Sequence, residues 1–231
     1  MALISSLRIV LAPPHRAGRP FISAGAAAAL AGLLLIALHE TSALFWVGAC
    51  FTLFCLYFFR DPERVTPARP NLAIAPADGH ITSIIMAPPP AELDMGTEPR
   101  WRVAIFLSVL DVHVNRSPVA GEVTKIAYHE GLFLSANLDK ASDDNERNSL
   151  AMKLPDGRTL AVVQIAGQIA RRILCDARAG DVLKAGQRFG IIRFGSRTDV
   201  YLPPGITPLV EVGQTMIGGE TVIADLNPVS A

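Results

Sequence analysis

The stretch MKLPDGRTL, residues 152–160, decides the fold class. Two short segments with apolar residues flank Pro155-Asp156-Gly157, and a proline followed by Asp-Gly is a strong turn signal. The stretch therefore predicts a β-hairpin. Short apolar segments divided by turn residues continue on both sides of it. From them we predict strands at 73–75, 81–87, 102–107, 121–128, 149–153, 159–165, 188–192 and 199–202.

Many short strands with a single predicted helix, over residues 167–174, are typical of small closed or sandwiched sheets. We predict a mostly β (α+β) fold. Its architecture is a small antiparallel barrel-like or barrel-sandwich domain with few helices.

Two apolar runs precede this region, at residues 21–38 and 43–59, with four residues between them. Each is about as long as a helix must be to cross the bilayer core. Arginines lie outside both ends and the connector has none, so the positive-inside rule places both ends in the cytoplasm. We predict that residues 1–64 are a transmembrane or re-entrant helical hairpin in the cell (inner) membrane. Residues 65–231 then form a second domain on its cytoplasmic face.

Two other interpretations of the apolar runs stay open. A re-entrant hairpin that embeds without crossing is one, because moving Glu40 through lipid is costly. A buried helix pair of a soluble protein has the same pattern, whereas a second run directly after the first argues against a signal peptide.

Charge and cysteine content exclude some functions. The 231 residues contain 21 Lys+Arg and 21 Asp+Glu, so no basic excess indicates a nucleic-acid partner. Cys50, Cys55 and Cys175 lack the spacing of a zinc site, and we interpret them as reduced, structural residues. We predict no metal site.

The pair Gly195-Ser196 lies between two predicted strands, where such a pair is usually a turn. It also suits a specific reaction. A serine hydroxyl can attack the carbonyl carbon on its N-terminal side, and the resulting ester can eliminate to dehydroalanine, which hydrolyses to a pyruvoyl group. Glycine leaves that carbonyl uncrowded and permits strained backbone angles. The reaction needs a base for the hydroxyl proton.

Two segments could supply that base and orient it. PADG, residues 76–79, contains Asp78, which is either a turn residue or a carboxylate that orients a base. FLSVLDVHVNRSP, residues 106–118, places His113 in an apolar stretch. A lone histidine there is more often a core residue, but the polar residues 111, 115 and 116 beside it favour proton transfer.

A fourth segment, residues 131–147, ends in Asn145-Glu146-Arg147. A charged run is commonly a solvated loop. The alternative is an arginine that grips a phosphate, held by its polar neighbours.

Together and in this order, the four segments resemble the phosphatidylserine decarboxylase family, in its short bacterial and archaeal branch. The resemblance rests on PADG, LSxxDVHVNRxPxxG, KASxxNER and a late FGSR, and runs from about residue 58 to residue 204. It implies an enzyme that decarboxylates phosphatidylserine to phosphatidylethanolamine and CO2. The headgroup amine would form a Schiff base with a pyruvoyl group derived from Ser196, without metal or pyridoxal phosphate.

The resemblance also implies self-cleavage at Gly195–Ser196. The β chain, 1–195, and the α chain, 196–231, would remain associated. They would act on a phospholipid in the membrane, and assembly into a homo-oligomer is left open. Ser196, Gly195, His113 and Asp78 would be catalytic. Arg147, Asn145 and Arg116 are the substrate-binding candidates.

One position departs from the family pattern. Longer members carry a second histidine, used in self-cleavage, where this chain has Arg116. We therefore expect His113 to serve both as the base for maturation and as the proton donor in decarboxylation. His80 and His129 are the other candidates for the base. Two other functions are a decarboxylase of a related lipid of the archaetidylserine type and a non-catalytic membrane-anchored barrel module.

Overall fold

The structure is a computed structural model that describes residues 10–38, 41–131, 145–167 and 172–227. The chain divides into two compact units, Met1–Glu63 and Arg64–Ala231.

The first unit contains two helices, α1 (Arg19–Ala37) and α2 (Ala43–Phe58). They pack antiparallel through small residues: a Cβ on Gly32 would lie 2.1 Å from the backbone nitrogen of Phe45, and one on Gly48 would lie 2.4 Å from that of Ala29. Glycine at these positions lets the two backbones approach closely, as in membrane helix pairs.

Many apolar side chains of both helices are exposed, among them Leu34, Trp46 and Leu53. With the short turn before it, α1 forms a 22-residue helix over Arg16–Ala37 that is long and apolar enough to cross a membrane. The shorter α2 falls below that length. An exposed apolar surface on a helix of this length is consistent with a membrane-associated unit.

The second unit is built from strands. In chain order they are β1 (Leu72–Ile74), β2 (Gly79–Ala87), β3 (Arg100–Leu107), β4 (Val114–Arg116), β5 (Gly121–His129), β6 (Arg147–Lys153), β7 (Thr159–Ala166), β8 (Arg172–Cys175), β9 (Val182–Leu183), β10 (Arg188–Arg193), β11 (Ser196–Tyr201), β12 (Thr215–Met216) and β13 (Val222–Asp225).

The strands form three antiparallel sheets. A curled eight-stranded sheet, a half-barrel, has the order β12-β2-β3-β11-β7-β6-β5-β9. A three-stranded sheet has the order β4-β10-β8, and β1 pairs with β13. The predicted mostly β, barrel-like fold is confirmed.

The eight-stranded sheet has two distinct faces because successive side chains alternate. Its core face carries the largest hydrophobic cluster, which includes Ile105, Val162 and Val200. Its outer face carries a smaller cluster with Val163 and Tyr201, covered by the segment that joins β2 to β3.

Local patterns predict eight of the thirteen strands in the described residues, and β4, β8, β9, β12 and β13 are not among them. The hairpin predicted at 152–160 is confirmed as β6 and β7, with Gly157 at φ +88° in the turn. The helix predicted over 167–174 is wrong where the structure describes it, because Arg172–Cys175 forms β8. In β8 the backbone N–H and C=O groups bond to β10, and this pairing replaces the hydrogen bonds that a helix would have formed within the segment.

Candidate active site

Gly195 and Ser196 lie where the chain passes from one sheet to another. β10 ends at Arg193 in the three-stranded sheet, and β11 begins at Ser196 in the eight-stranded one. Two residues, Phe194 and Gly195, make the whole connection, with φ angles of +61° and +62°. The Gly-Ser pair thus lies at the end of a sharp crossover between two sheets rather than in a hairpin turn.

Ser196 is held firmly and is fully buried. Its backbone pairs with Leu107 on one side and Ala166 on the other. Among the residues that the structure describes, no hydrogen-bond partner reaches its Oγ. A buried hydroxyl without a partner is costly, so such atoms in native proteins require an explanation, and one explanation is a chemical role.

The carbonyl group next to this hydroxyl is oriented by a backbone donor. Gly167 N–H donates to the carbonyl oxygen of Gly195 at 3.1 Å. A donor in this position withdraws electron density from the carbonyl carbon and stabilises an oxyanion that forms there.

His113 reaches the preceding peptide group, Phe194–Gly195, from the turn between β3 and β4. The Asp111 carboxylate accepts a hydrogen bond from Ser108 N–H at 2.7 Å and fixes the turn. His113 Nδ1 lies 3.0 Å from the Asp111 carbonyl oxygen, and its Nε2 accepts from Gly195 N–H at 3.3 Å. Because a carbonyl can only accept and an N–H only donates, the ring is the neutral Nδ1–H tautomer with a lone pair on Nε2. A base with this geometry faces the Gly195–Ser196 segment.

Asp78 lies in the loop between β1 and β2 and fastens two other segments. Its carboxylate accepts from Arg64 Nη2 at 2.6 Å and from Gly218 N–H at 2.8 Å. The Arg64 and Asp78 side chains are 5% and 18% exposed, so this is a largely buried ion pair. These contacts hold the loop between β1 and β2 in place. The contact that orients the His113 ring is the one with the carbonyl oxygen of Asp111.

Arg116 lies beside the same ion pair. It is buried on β4 and its Nη1 donates to the carbonyl oxygen of Gly186 at 3.1 Å. A Cβ on Gly219 would lie 2.7 Å from Arg116 Cδ and 3.5 Å from Arg64 Cβ. The side chain of Arg116, at the position where the resemblance implies a second histidine, thus packs against Gly219, as the Arg64 side chain does.

Asn145 bonds to a residue that pairs with Ser196. It is fully buried and its Nδ2 donates to the carbonyl oxygen of Ala166, the residue in register with Ser196. Its neighbour Glu146 accepts from Tyr128 Oη at 2.9 Å and from Ile173 N–H at 3.1 Å. Burial and Glu146 raise the pKa of Tyr128 to about 12. Residues 140–142 of the KASxxNER motif lie outside the described residues.

Three other candidates occupy one row of the eight-stranded sheet. His80, Arg147 and His129 share the cross-strand row of Arg197, on the outer face. Ser196 precedes Arg197 by one residue along β11, so its side chain lies on the opposite, core face of the sheet. The sheet therefore separates these three side chains from the Ser196 hydroxyl.

Arg147 belongs to a cavity of about 400 Å³ on that outer face. Arg147 Nε donates to Glu92 Oε1 at 2.8 Å, and Ser149 Oγ donates to the same oxygen at 3.1 Å. Burial opposes ionisation of Glu92, but the hydrogen bond and charge of Arg147 prevail and lower its pKa. Asp199 and Tyr201 line the cavity too, and burial with the Asp199 charge raises the pKa of Tyr201 to about 12.

A chain of hydrogen-bonded side-chain amides lies buried beside the site and was not predicted from the sequence. Asn148 Nδ2 donates to Gln164 Oε1 at 2.8 Å, and Gln164 Nε2 donates to Asn115 Oδ1 at 2.7 Å. The chain links the eight-stranded sheet to β4, next to His113. Its signal was present: in the alternating core positions of β7, Gln164 is the amide among Leu160, Val162 and Ala166.

Together these groups bring an imidazole acceptor to Gly195 N–H and a backbone donor to the Gly195 carbonyl, next to the buried Ser196 hydroxyl. Within the described ranges, no group of three or more His, Cys, Asp or Glu residues could hold a metal ion.

Comparison with known proteins agrees with the motifs. The family model described as phosphatidylserine decarboxylase matches residues 51–224. The chain is 68% identical over 228 residues to the phosphatidylserine decarboxylase proenzyme of Granulibacter bethesdensis, covering 99% of this chain and 91% of that protein. Proteins of the same name from Gluconacetobacter diazotrophicus (64% over 229 residues, covering 98% and 100%) and Cereibacter sphaeroides (54% over 228 residues, covering 99% and 96%) are also similar. The resemblance inferred from the motifs is confirmed, and the chain belongs to the phosphatidylserine decarboxylase family.

Proposed function

We propose that this protein decarboxylates phosphatidylserine to phosphatidylethanolamine and CO2, after cutting its own chain at Gly195–Ser196 to make a pyruvoyl group. One arrangement carries the proposal. The Gly195–Ser196 segment has a histidine acceptor at Gly195 N–H, a backbone donor at Gly195 O, and a buried serine hydroxyl whose Oγ has no partner in the described residues. Family membership and the relatives' name of proenzyme support the same conclusion.

The first step is an acyl shift. Ser196 Oγ forms a bond to the carbonyl carbon of Gly195, and the peptide bond to the Ser196 nitrogen breaks. His113 Nε2 takes the hydroxyl proton and returns it to the departing nitrogen, so a free amine and an ester result. Gly167 N–H holds the carbonyl oxygen while it carries negative charge.

The second step breaks the ester. A base removes the Cα proton of Ser196, and the Gly195 carboxylate leaves from Cβ. The dehydroalanine that remains takes up one water and releases one ammonia, which leaves a pyruvoyl group on the chain that begins at residue 196. No oxidant, reductant or metal is needed to balance these steps.

The two fragments are expected to stay together because every strand of the smaller one pairs with the larger one. β11 lies between β3 and β7, β12 pairs with β2, and β13 pairs with β1. The α chain, 196–231, and the β chain, 1–195, therefore share one set of sheets.

Position 196 fits a pyruvoyl group. Six residues of β11 pair on both sides, so the new chain end stays fixed after cleavage. The group would supply an electron sink for the carbanion left when CO2 departs. His113 Nε2, which accepts from Gly195 N–H beside the new chain end, is then placed to hold the proton that this carbanion takes up.

Placement in the membrane suits the substrate. The exposed apolar surface of α1 and α2 supports an anchor in the cell membrane, and the arginines at both ends of the hairpin favour a cytoplasmic catalytic domain. An anchored enzyme meets a headgroup at the bilayer surface without extracting the lipid.

Intact mass measurement of the purified protein tests the proposal. We expect two chains, 1–195 and 196–231, with the smaller one lighter by one ammonia than a peptide that begins with serine. Ser196→Ala should leave the chain whole and inactive. Thr198→Ala removes another buried hydroxyl from the same face of β11 and should cut normally. A full-length chain that decarboxylates phosphatidylserine with Ser196 unmodified would overturn the proposal.

A further inference from the structure

The crossover before Ser196 contains an unusual backbone conformation. Among the described residues, three other than glycine have a positive φ: Asn71, Asp94 and Phe194. Asn and Asp tolerate the left-handed region because their short polar side chains can bond locally. Phenylalanine has no such compensation, so the φ of +61° at Phe194 is strained.

The surroundings hold this strain in place. Arg193, just before, pairs with Arg172 in the three-stranded sheet, and Ser196, just after, pairs on both sides in the eight-stranded one. Between them, Gly195 is fixed at N–H by His113 and at its carbonyl by Gly167. Two residues must join two fixed sheets, and neither end can shift to relax Phe194.

Cleavage changes that situation. Once the Gly195–Ser196 bond breaks, Phe194 and Gly195 become a free chain end with no strand after them. The ester formed in the acyl shift already lengthens the connection, because the chain then passes through the Ser196 side chain.

We propose that Phe194 is a positioning residue whose left-handed backbone stores strain that favours acyl transfer from the Ser196 nitrogen to its Oγ. The inference rests on the self-cleavage proposed above and adds what drives it. An acyl shift from amide to ester is unfavourable by itself, so strain released in the ester raises the amount available for elimination. The effect comes from the backbone of a residue with a Cβ and does not need the aromatic ring.

Two substitutions separate backbone strain from side-chain packing. Phe194→Gly removes the ring and the strain, whereas Phe194→Ala removes the ring and keeps the strain. We expect the glycine variant to cleave roughly five to thirty times more slowly than the alanine variant, since that is the cost of a left-handed residue expressed as a rate. Cleavage is followed by gel or mass spectrometry after synthesis in a cell-free system.

Stability supplies a readout with the opposite sign. In a Ser196→Ala background, which cannot cut, Phe194→Gly should melt at a higher temperature than Phe194→Ala because the strain is gone. Slower cleavage together with higher stability supports the inference. Equal cleavage rates in the two variants, or a glycine variant that melts at a lower temperature than the alanine variant, would overturn the inference. The proposed function would still stand in that case, provided that the wild-type chain cleaves. A wild-type chain that never cuts overturns both.

Discussion

Replacing His113 tests the proposed chemistry at Gly195–Ser196 most directly. The side chain is fully buried, so alanine would leave a cavity as well as remove the base. Glutamine is the better substitution. Its amide oxygen can accept from Gly195 N–H, as Nε2 does at 3.3 Å, and it fills much of the space, but it cannot take up a proton near neutral pH.

The expected magnitude follows from what is lost. A positioned general base contributes roughly a hundredfold to ten-thousandfold, or about 3–5 kcal/mol of barrier. The Gly167 donor, the strained crossover and the buried hydroxyl remain in His113→Gln, so slow cleavage should persist. His113→Ala should be at least as slow and also less stable, because Gly195 N–H then loses its acceptor.

The assay is the rate of conversion of full-length chain into its two fragments. Folding is checked separately by thermal melting in a Ser196→Ala background, so that slow cleavage is not confused with misfolding. Alanine at His80 and at His129 provides matched controls, since both histidines lie on the outer face of the sheet.

Normal maturation of a folded His113→Gln variant would refute the assignment of the base. Slow maturation in His80→Ala or His129→Ala, with His113→Gln unaffected, would do so as well and would place the proton transfer on the other side of the sheet.

Four other outcomes are expected. Gly167→Pro removes the N–H that holds the Gly195 carbonyl and should slow cleavage by roughly a hundredfold to a thousandfold, whereas Gly167→Ala keeps that donor and should be much less affected. Asp78→Asn should lower the free energy of unfolding by about 1.5–3 kcal/mol in denaturant titrations, because a charged partner of Arg64 is lost. It should slow cleavage less than His113→Gln does. Equal slowing would give Asp78 a direct part in the chemistry. Gln164→Leu leaves Asn115 and Asn148 without their amide partner and should cost about 1–3 kcal/mol for each, and an unchanged denaturation midpoint would contradict the role of the amide chain. The lowered pKa of Glu92 means that its contribution to stability is present above its unfolded value of about 4.3 and is lost as the pH falls through the folded value, so melting curves of Glu92→Gln should lack that acid-side loss.

The sequence predicted the strands of six or more residues because their signals are local, and it missed short ones such as β4, β9 and β12. The Pro-Asp-Gly turn at 155–157 and the alternation on either side of it are read within nine residues, and β6 and β7 form there. The predicted helix over 167–174 failed for the converse reason. The strand at Arg172–Cys175 depends on β10, a partner about twenty residues further along the chain, and no local pattern specifies that pairing.

The face on which a side chain lies could not be predicted either. Side chains alternate along a strand, so the face is known only once the register with neighbouring strands is known. Arg147 follows Asn145 and Glu146 directly in sequence, yet it lies in the row of Arg197, on the outer face with Glu92. The three residues are adjacent in one motif, but in the folded sheet their side chains lie in different surroundings.

The proposed self-cleavage assigns the role of base to His113 alone, because Arg116 occupies the position where the resemblance implies a second histidine. Arg116 stands at that position, buried, with its guanidinium bonded to the Gly186 carbonyl and its stem packed beside Gly219. An arginine stays protonated, so it cannot replace a base. The remaining requirement is a single neutral imidazole with its lone pair on Nε2, and the Asp111 carbonyl secures it by accepting from Nδ1. Because that orientation comes from the backbone of the Ser108–Asp111 turn, Asp111→Asn should leave the tautomer of His113 unchanged and affect cleavage only through the stability of the turn.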